Sequence, residues 1–174
     1  GLAPTRFLDK SRSERAAQAG QLELSAQLLN ALPPDFAPDQ VRFARLRSAY
    51  LRGQWPEVVE LSEPLLGHPL LGWRAAYLRG SALLRRGDWA AGIATVAPHL
   101  EGPGRRELFF PLAGYLYLLK GDRQAGQRAF LAGLALSPGN PLMIEGLSRM
   151  AMEAQDWARA QELLEQGLEK PNSH

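Results

Sequence analysis

A turn signal returns every 34 residues along this chain. Gly53-Gln54-Trp55, Gly87-Asp88-Trp89, Gly121-Asp122-Arg123 and Gln155-Asp156-Trp157 stand 34 residues apart. A fixed period of that length calls for one small unit used repeatedly. Such units bury their apolar faces against their neighbours and not within themselves. A stacked array of this kind offers a binding surface more readily than a catalytic pocket.

The other columns follow once the turns are aligned. Seven residues before each turn stand Leu46, Gly80, Gly114 and Ser148, three of them small, as two closely approaching helices require. Four before stand Ala49, Leu83, Tyr117 and Ala151, an apolar column. Gly53, Gly87 and Gly121 suit the left-handed residue that ends a first helix. Asp88, Asp122 and Asp156 suit the N-cap of a second helix, where a carboxylate accepts free backbone N–H groups. Past the turn come a mostly tryptophan column, a mostly small column (Val58, Gly92, Gly126, Ala160) and, nine residues past it, Ser62, Val96, Phe130 and Leu164. Each unit closes with Pro69, Pro103, Pro138 or Pro171, able to stop the second helix.

This pattern resembles the tetratricopeptide repeat family. The best single match is Phe110, Ala113, Gly114, Tyr117, Gly126, Phe130 and Pro138, at the spacings of the family's aromatic, apolar, small and proline positions. The resemblance covers residues 39–174, and a weaker unit precedes it around Gly20-Gln21-Leu22, 33 residues before Gly53. It implies an all-α, right-handed superhelical solenoid of antiparallel helix pairs. About five repeats are expected in a single domain over 1–174: a degenerate one over 6–38, then 39–72, 73–106, 107–140 and 141–174.

Two prolines depart from the pattern. Pro64 and Pro98, one period apart, lie late in their second helices and are expected to truncate or kink them. Pro111 is placed in the first turn or so of its helix, where proline costs least. Leu108 to Leu119 is apolar nearly all round. It is either a central helix packed on both sides or a ligand or dimer contact.

In the resembled family the first helices line a concave face along which ligands lie. Carried over by position, that groove holds Phe43, Arg47 and Tyr50, then Arg74, Tyr77, Ser81 and Arg85. It continues with Leu108, Leu112, Tyr115 and Leu119, and then Glu145, Arg149 and Met152. Arginine grips carboxylates through paired hydrogen bonds, and tyrosine adds apolar area with one polar tip. The groove so composed suits a peptide with acidic and apolar groups; otherwise these residues form a solvated face. The family's best-known subgroup clamps a C-terminal carboxylate with asparagine and lysine on first helices. Here the asparagines are Asn30, Asn140 and Asn172, none on such a face, which argues against that clamp.

Composition narrows the remaining classes. The formal net charge is +2, so nucleic-acid binding would have to rest on a local patch. Residues 42–106 supply one, with 10 Arg against 5 acids. The chain has no cysteine, which excludes disulfides, thiolate zinc sites and cysteine nucleophiles. His68, His99 and His174 have no second ligand or base at a recognisable spacing, and no glycine loop of the phosphate-cradling type occurs. No cofactor, no metal and no enzymatic activity are therefore expected. The Arg86-Gly87-Asp88 tripeptide coincides with an adhesion signal, but Gly87 and Asp88 already have structural jobs in a turn. The longest uncharged apolar stretch has 12 residues, short of the roughly 20 a spanning helix needs. The chain starts at Gly1 and not at methionine, so a removed leader stays open, and with it the choice between cytoplasm and periplasm.

The leading reading is a noncatalytic protein-interaction scaffold, bacterial in style, with a peptide or protein partner in the groove. Two alternatives stand beside it. One is a structural part of an envelope, secretion or pilus assembly, or the sensing part of a larger regulator. The other is nucleic-acid binding through the basic middle, with Trp73, Tyr50 and Tyr77 available for stacking. A homo-oligomer is open. The last second helix carries Gln161, Glu162, Glu165, Gln166 and Glu169. If these make it polar enough, it serves as its own cap; otherwise the end is an assembly surface.

Overall fold

The structure, a computed structural model, describes residues 4–169. Pro171, Asn172 and His174 lie outside the described residues. The described chain is all-helical: α1 (Pro4–Asn30), α2 (Pro38–Leu51), α3 (Trp55–Ser62), α4 (Gly72–Arg86), α5 (Trp89–Val96), α6 (Arg106–Lys120), α7 (Arg123–Leu136), α8 (Pro141–Glu153) and α9 (Trp157–Glu169). Two compact units are distinguishable, one ending at Leu78 and the other beginning at Arg79, within α4.

The same backbone hydrogen bonds close all four turns. The N–H of Gln54, Asp88, Asp122 and Asp156 donates to the carbonyl of Ala49, Leu83, Tyr117 and Ala151, at 2.8–2.9 Å. This is the six-to-one bond of a helix ended by one left-handed residue. That residue is Gly53, Gly87 or Gly121, with φ of 72°, 81° and 98°. In the fourth turn it is Gln155, which takes φ 59° without glycine's freedom. The tryptophan column covers the turn: the rings of Trp55 and Trp89 lie 3.8 and 4.0 Å from where a Cβ on Gly53 or Gly87 would stand.

The capping expectation holds for two of three aspartates. Asp122 accepts from the Ala125 N–H and Asp156 from the Arg159 N–H, both at 3.1 Å. Asp88 occupies the N-cap position but makes no side-chain cap bond, and its carboxylate pairs instead with Arg86 at 3.3 Å. The neighbouring guanidinium, absent at the other two turns, competes for the oxygen.

In the first unit, α2 and α3 form a hairpin around Leu46, Ala49, Val58, Ser62 and Leu65, all buried. Pro64 ends α3 after 8 residues and turns the chain into a short 3-10 segment, Glu63–Leu65. The degenerate pair expected over 6–38 is corrected by α1, a single helix of 27 residues running through Gly20. Gly20 stands among strong helix formers and is followed by neither an N-capping aspartate nor a tryptophan. An isolated glycine costs a helix roughly 1 kcal/mol, not enough to break one this long. Ala26 of α1 is buried, and the Arg45 guanidinium of α2 donates to the Leu29 carbonyl at 3.1 Å.

In the second unit, Pro98 repeats the effect of Pro64: α5 ends after 8 residues and a 3-10 segment, Ala97–His99, follows. Where the prolines are absent the second helices run 14 and 13 residues. Pro111 lies beyond the first turn, as the sixth residue of α6, and is buried. The sequence placed it too early because the helix starts at Arg106, five residues before it.

The small columns act as expected. A Cβ on Gly114 of α6 would lie 2.5 Å from the Phe130 ring, and one on Gly146 of α8 would meet the same ring at 2.5 Å. Phe130 is fully buried between the two glycines and holds α6, α7 and α8 together. Leu108 to Leu119 takes the central-helix form: Phe109, Ala113 and Leu116 are fully buried, and only its end, Leu119, is markedly exposed.

Candidate partner-binding face of the first helices

The first-helix residues singled out from the sequence take up three kinds of environment. Arg47, Arg74, Arg85, Leu119 and Arg149 are exposed. Phe43, Tyr50, Tyr77, Leu108, Leu112 and Tyr115 are half-buried. Ser81 is buried, 8% exposed, and so offers a partner little surface. Its position next to Gly80, in the tight small-residue column, draws it inward. Glu145 and Met152, from the same expectation, are exposed.

Within the first unit, α2 and α4 bring two of the tyrosines together. Burial pushes the Tyr77 hydroxyl above the usual tyrosine range, and the nearby Tyr50 adds to the rise. Tyr50 is fixed from behind by Trp55, edge to face at 5.5 Å between ring centres. Arg74 lies over the ring of Trp73 at 5.2 Å. Phe43 and Arg47 stand one turn apart on α2, with Tyr50 beyond them at i+3 from Arg47.

Within the second unit, α6 and α8 do the same with Tyr115, Glu145 and Arg149. Burial raises the Tyr115 hydroxyl first, Glu145 raises it further, and Arg149 opposes both. Arg149 and Glu145 are one turn apart on α8 and form an ion pair at 2.9 Å. Tyr115 is held edge to face by Phe130 at 5.0 Å. In each unit, then, a half-buried tyrosine lies edge to face on a second aromatic, half-buried Trp55 or buried Phe130, with exposed arginine on a first helix beside it. Arginine beside an aromatic ring offers paired hydrogen-bond donors of the kind that fit a carboxylate and a face of the kind that fits an apolar group.

The histidines have other partners. His68 accepts the Leu70 and Leu71 N–H groups at Nδ1, at 3.1 and 3.0 Å, and so caps the turn before α4. His99 stacks on Phe109, 4.5 Å between ring centres and 13° from parallel, and burial holds its pKa below the usual value. No group of three or more His, Cys, Asp or Glu able to hold a metal occurs among the described residues. Asn140, set aside as a clamp residue, caps α8 by accepting the Leu142 N–H at 2.9 Å. No described helix is long and apolar enough to cross a membrane.

On α9, which the sequence left as either a cap or an assembly surface, apolar side chains are exposed. Leu164 is 52% exposed although its column partners Ser62, Val96 and Phe130 are fully buried, and Leu168 is 86% exposed. Together with α8 they border an open groove. The expected polar character of α9 is real, but it belongs to other positions of the helix. The signal was present in Leu164 and Leu168, an i,i+4 apolar pair.

The helix pairs, their common turn and the interlocking small columns define an all-helical repeat fold of the tetratricopeptide-like class. It is shared with a solved structure described as "MamA RS-1 ArsTM double mutant". That chain aligns at a TM-score of 0.74 over 97% of this chain and 96% of its own, with 16% sequence identity. No sequence profile of a known family matches the chain, and no curated protein matches it. The likeness is thus one of fold.

Proposed function

We infer that this chain is a noncatalytic protein-interaction module whose first helices receive a peptide or protein partner bearing acidic and apolar groups. The observation that carries the reading is the pairing within each unit: Tyr50 with Tyr77, and Tyr115 with Glu145 and Arg149. Neighbouring first helices present these groups side by side, beside exposed Arg47, Arg74 and Arg149. Rigid aromatic anchors beside arginines are what binding hot spots are made of. The fold supports the same reading.

The reading is tested by affinity capture from a lysate of the native organism. Wild type is compared with an Arg47→Glu/Arg74→Glu/Arg85→Glu variant whose circular dichroism matches wild type. Partner captured by wild type and lost by the variant is expected. Equal capture by both would remove the arginines from the binding face. Nucleic acid captured in place of protein, with steep salt dependence, would favour the basic-patch alternative.

A further inference from the structure

The second unit carries an open groove of about 410 Å³ between α8 and α9, lined by Ile144, Ser148, Met152, Leu164, Gly167 and Leu168 among others. One period earlier the same positions are Phe110, Gly114, Leu118, Phe130, Gly133 and Leu134. That earlier surface is covered by α8. A Cβ on Gly133 would meet Met143 at 2.9 Å, and the Phe130 ring lies against Gly146. At the terminal groove no described helix plays that part. Leu164 and Leu168 stay exposed, and the Ser148 hydroxyl, on a residue only 2% exposed, has no hydrogen-bond partner. A buried hydroxyl without a partner is a site waiting for one.

The internal interfaces specify what fits. Against the smaller Val96, the incoming α6 places a large residue, Leu112; a Cβ on Gly80 would meet both, at 2.8 and 3.1 Å. Against the larger Phe130, the incoming α8 places Gly146. Each pair is one period from the other, and size on one side is compensated on the other. Leu164, an aliphatic side chain in this column, calls for the α6 type of helix: Leu112, then Ala113, then Leu116. Helix α1 presents that spacing as Leu24, Ser25 and Leu28. Leu24 and Leu28 are 56% and 63% exposed and lie about half a turn round the helix from buried Ala26.

We propose that the α8–α9 groove receives α1 of a second copy of this chain, through Leu24, Ser25 and Leu28. Leu24 and Leu28 cover Leu164, Leu168 and Met152, and Ser25 supplies a polar group for Ser148. Two different surfaces meet, so the contact is heterologous and a pair of copies keeps one free surface of each kind. Glu145, Arg149 and Met152 also border the groove, so the contact adjoins the first-helix face at α8.

Sedimentation velocity over a wide concentration range tests this. Wild type is expected to grow in mass with concentration. Leu24→Asp/Leu28→Asp and Leu164→Asp/Leu168→Asp are each expected to weaken association roughly a hundredfold or more. All four leucines are exposed, so both variants keep the fold, which circular dichroism checks. Each variant retains one intact surface, so mixing the two is expected to restore a dimer that grows no further. A wild type that stays monomeric throughout overturns the proposal. So does association that survives either pair of substitutions, or variants that fail to pair when mixed.

Discussion

At the scale of single residues, the fourth turn and the small columns hold the most telling positions. Gln155 adopts the left-handed backbone that three glycines adopt one, two and three periods earlier. Gln155→Gly should therefore stabilise the protein by about 1 kcal/mol, read as a rise in Tm. An unchanged or lower Tm would mean that the side chain repays the backbone. Gly114→Ala should do the opposite, because its methyl would press into the buried Phe130 ring; overpacking of this kind costs about 1–3 kcal/mol. His99 gives a pH dependence. Burial lowers its folded pKa, so its contribution to stability is full above the unfolded value of 6.5 and is lost as pH falls through the folded value. Urea titrations at several pH values should show this acid limb in wild type and a shallower one in His99→Phe, which keeps the stack on Phe109.

At the scale of elements, capping separates helices that look alike in sequence. Asp122 caps α7 through the Ala125 N–H, whereas Asp88 at the equivalent turn is drawn to Arg86. Asp122→Ala should lower stability by about 1 kcal/mol and Asp88→Ala by clearly less, compared by denaturant midpoints. Equal losses would show that position alone, and not the cap bond, sets the effect. The elements also show what a sequence can and cannot reveal. The four turns were legible because one backbone conformation demands glycine, a cap and a covering ring together. The shortening of α3 and α5 was legible because a proline's missing N–H acts locally. Gly20 misled, since glycine breaks a helix only when its neighbours favour a turn, and here they favour helix. Asp88 misled because its competitor, Arg86, sits on the preceding helix.

At the scale of the whole molecule, the repeat fold was legible from the 34-residue period, and its likeness to a solved tetratricopeptide-like chain supports that reading. The candidate face was legible in part. Helical spacing assigned residues to first helices, but it could not weigh the pull of the core that draws Ser81 inward. Nor could it show that Tyr115 would meet the Glu145–Arg149 pair, since that depends on how α6 and α8 pack. The exposed groove at α8 and α9 was hidden for a related reason. A column that is buried in every internal unit reads the same in the last one.

On the reading proposed above, the first helices, and not the second, meet the partner. Site-specific photo-crosslinking in the native lysate tests it most directly. The photoreactive residue replaces Tyr50, Tyr77 or Tyr115 in one set of variants, and exposed Glu60 or Gln127 on second helices in another. Crosslinked partner is expected from the tyrosine positions and none from Glu60 or Gln127. Crosslinks from the second-helix positions alone would contradict it and move the binding surface to the other side of the helix pairs.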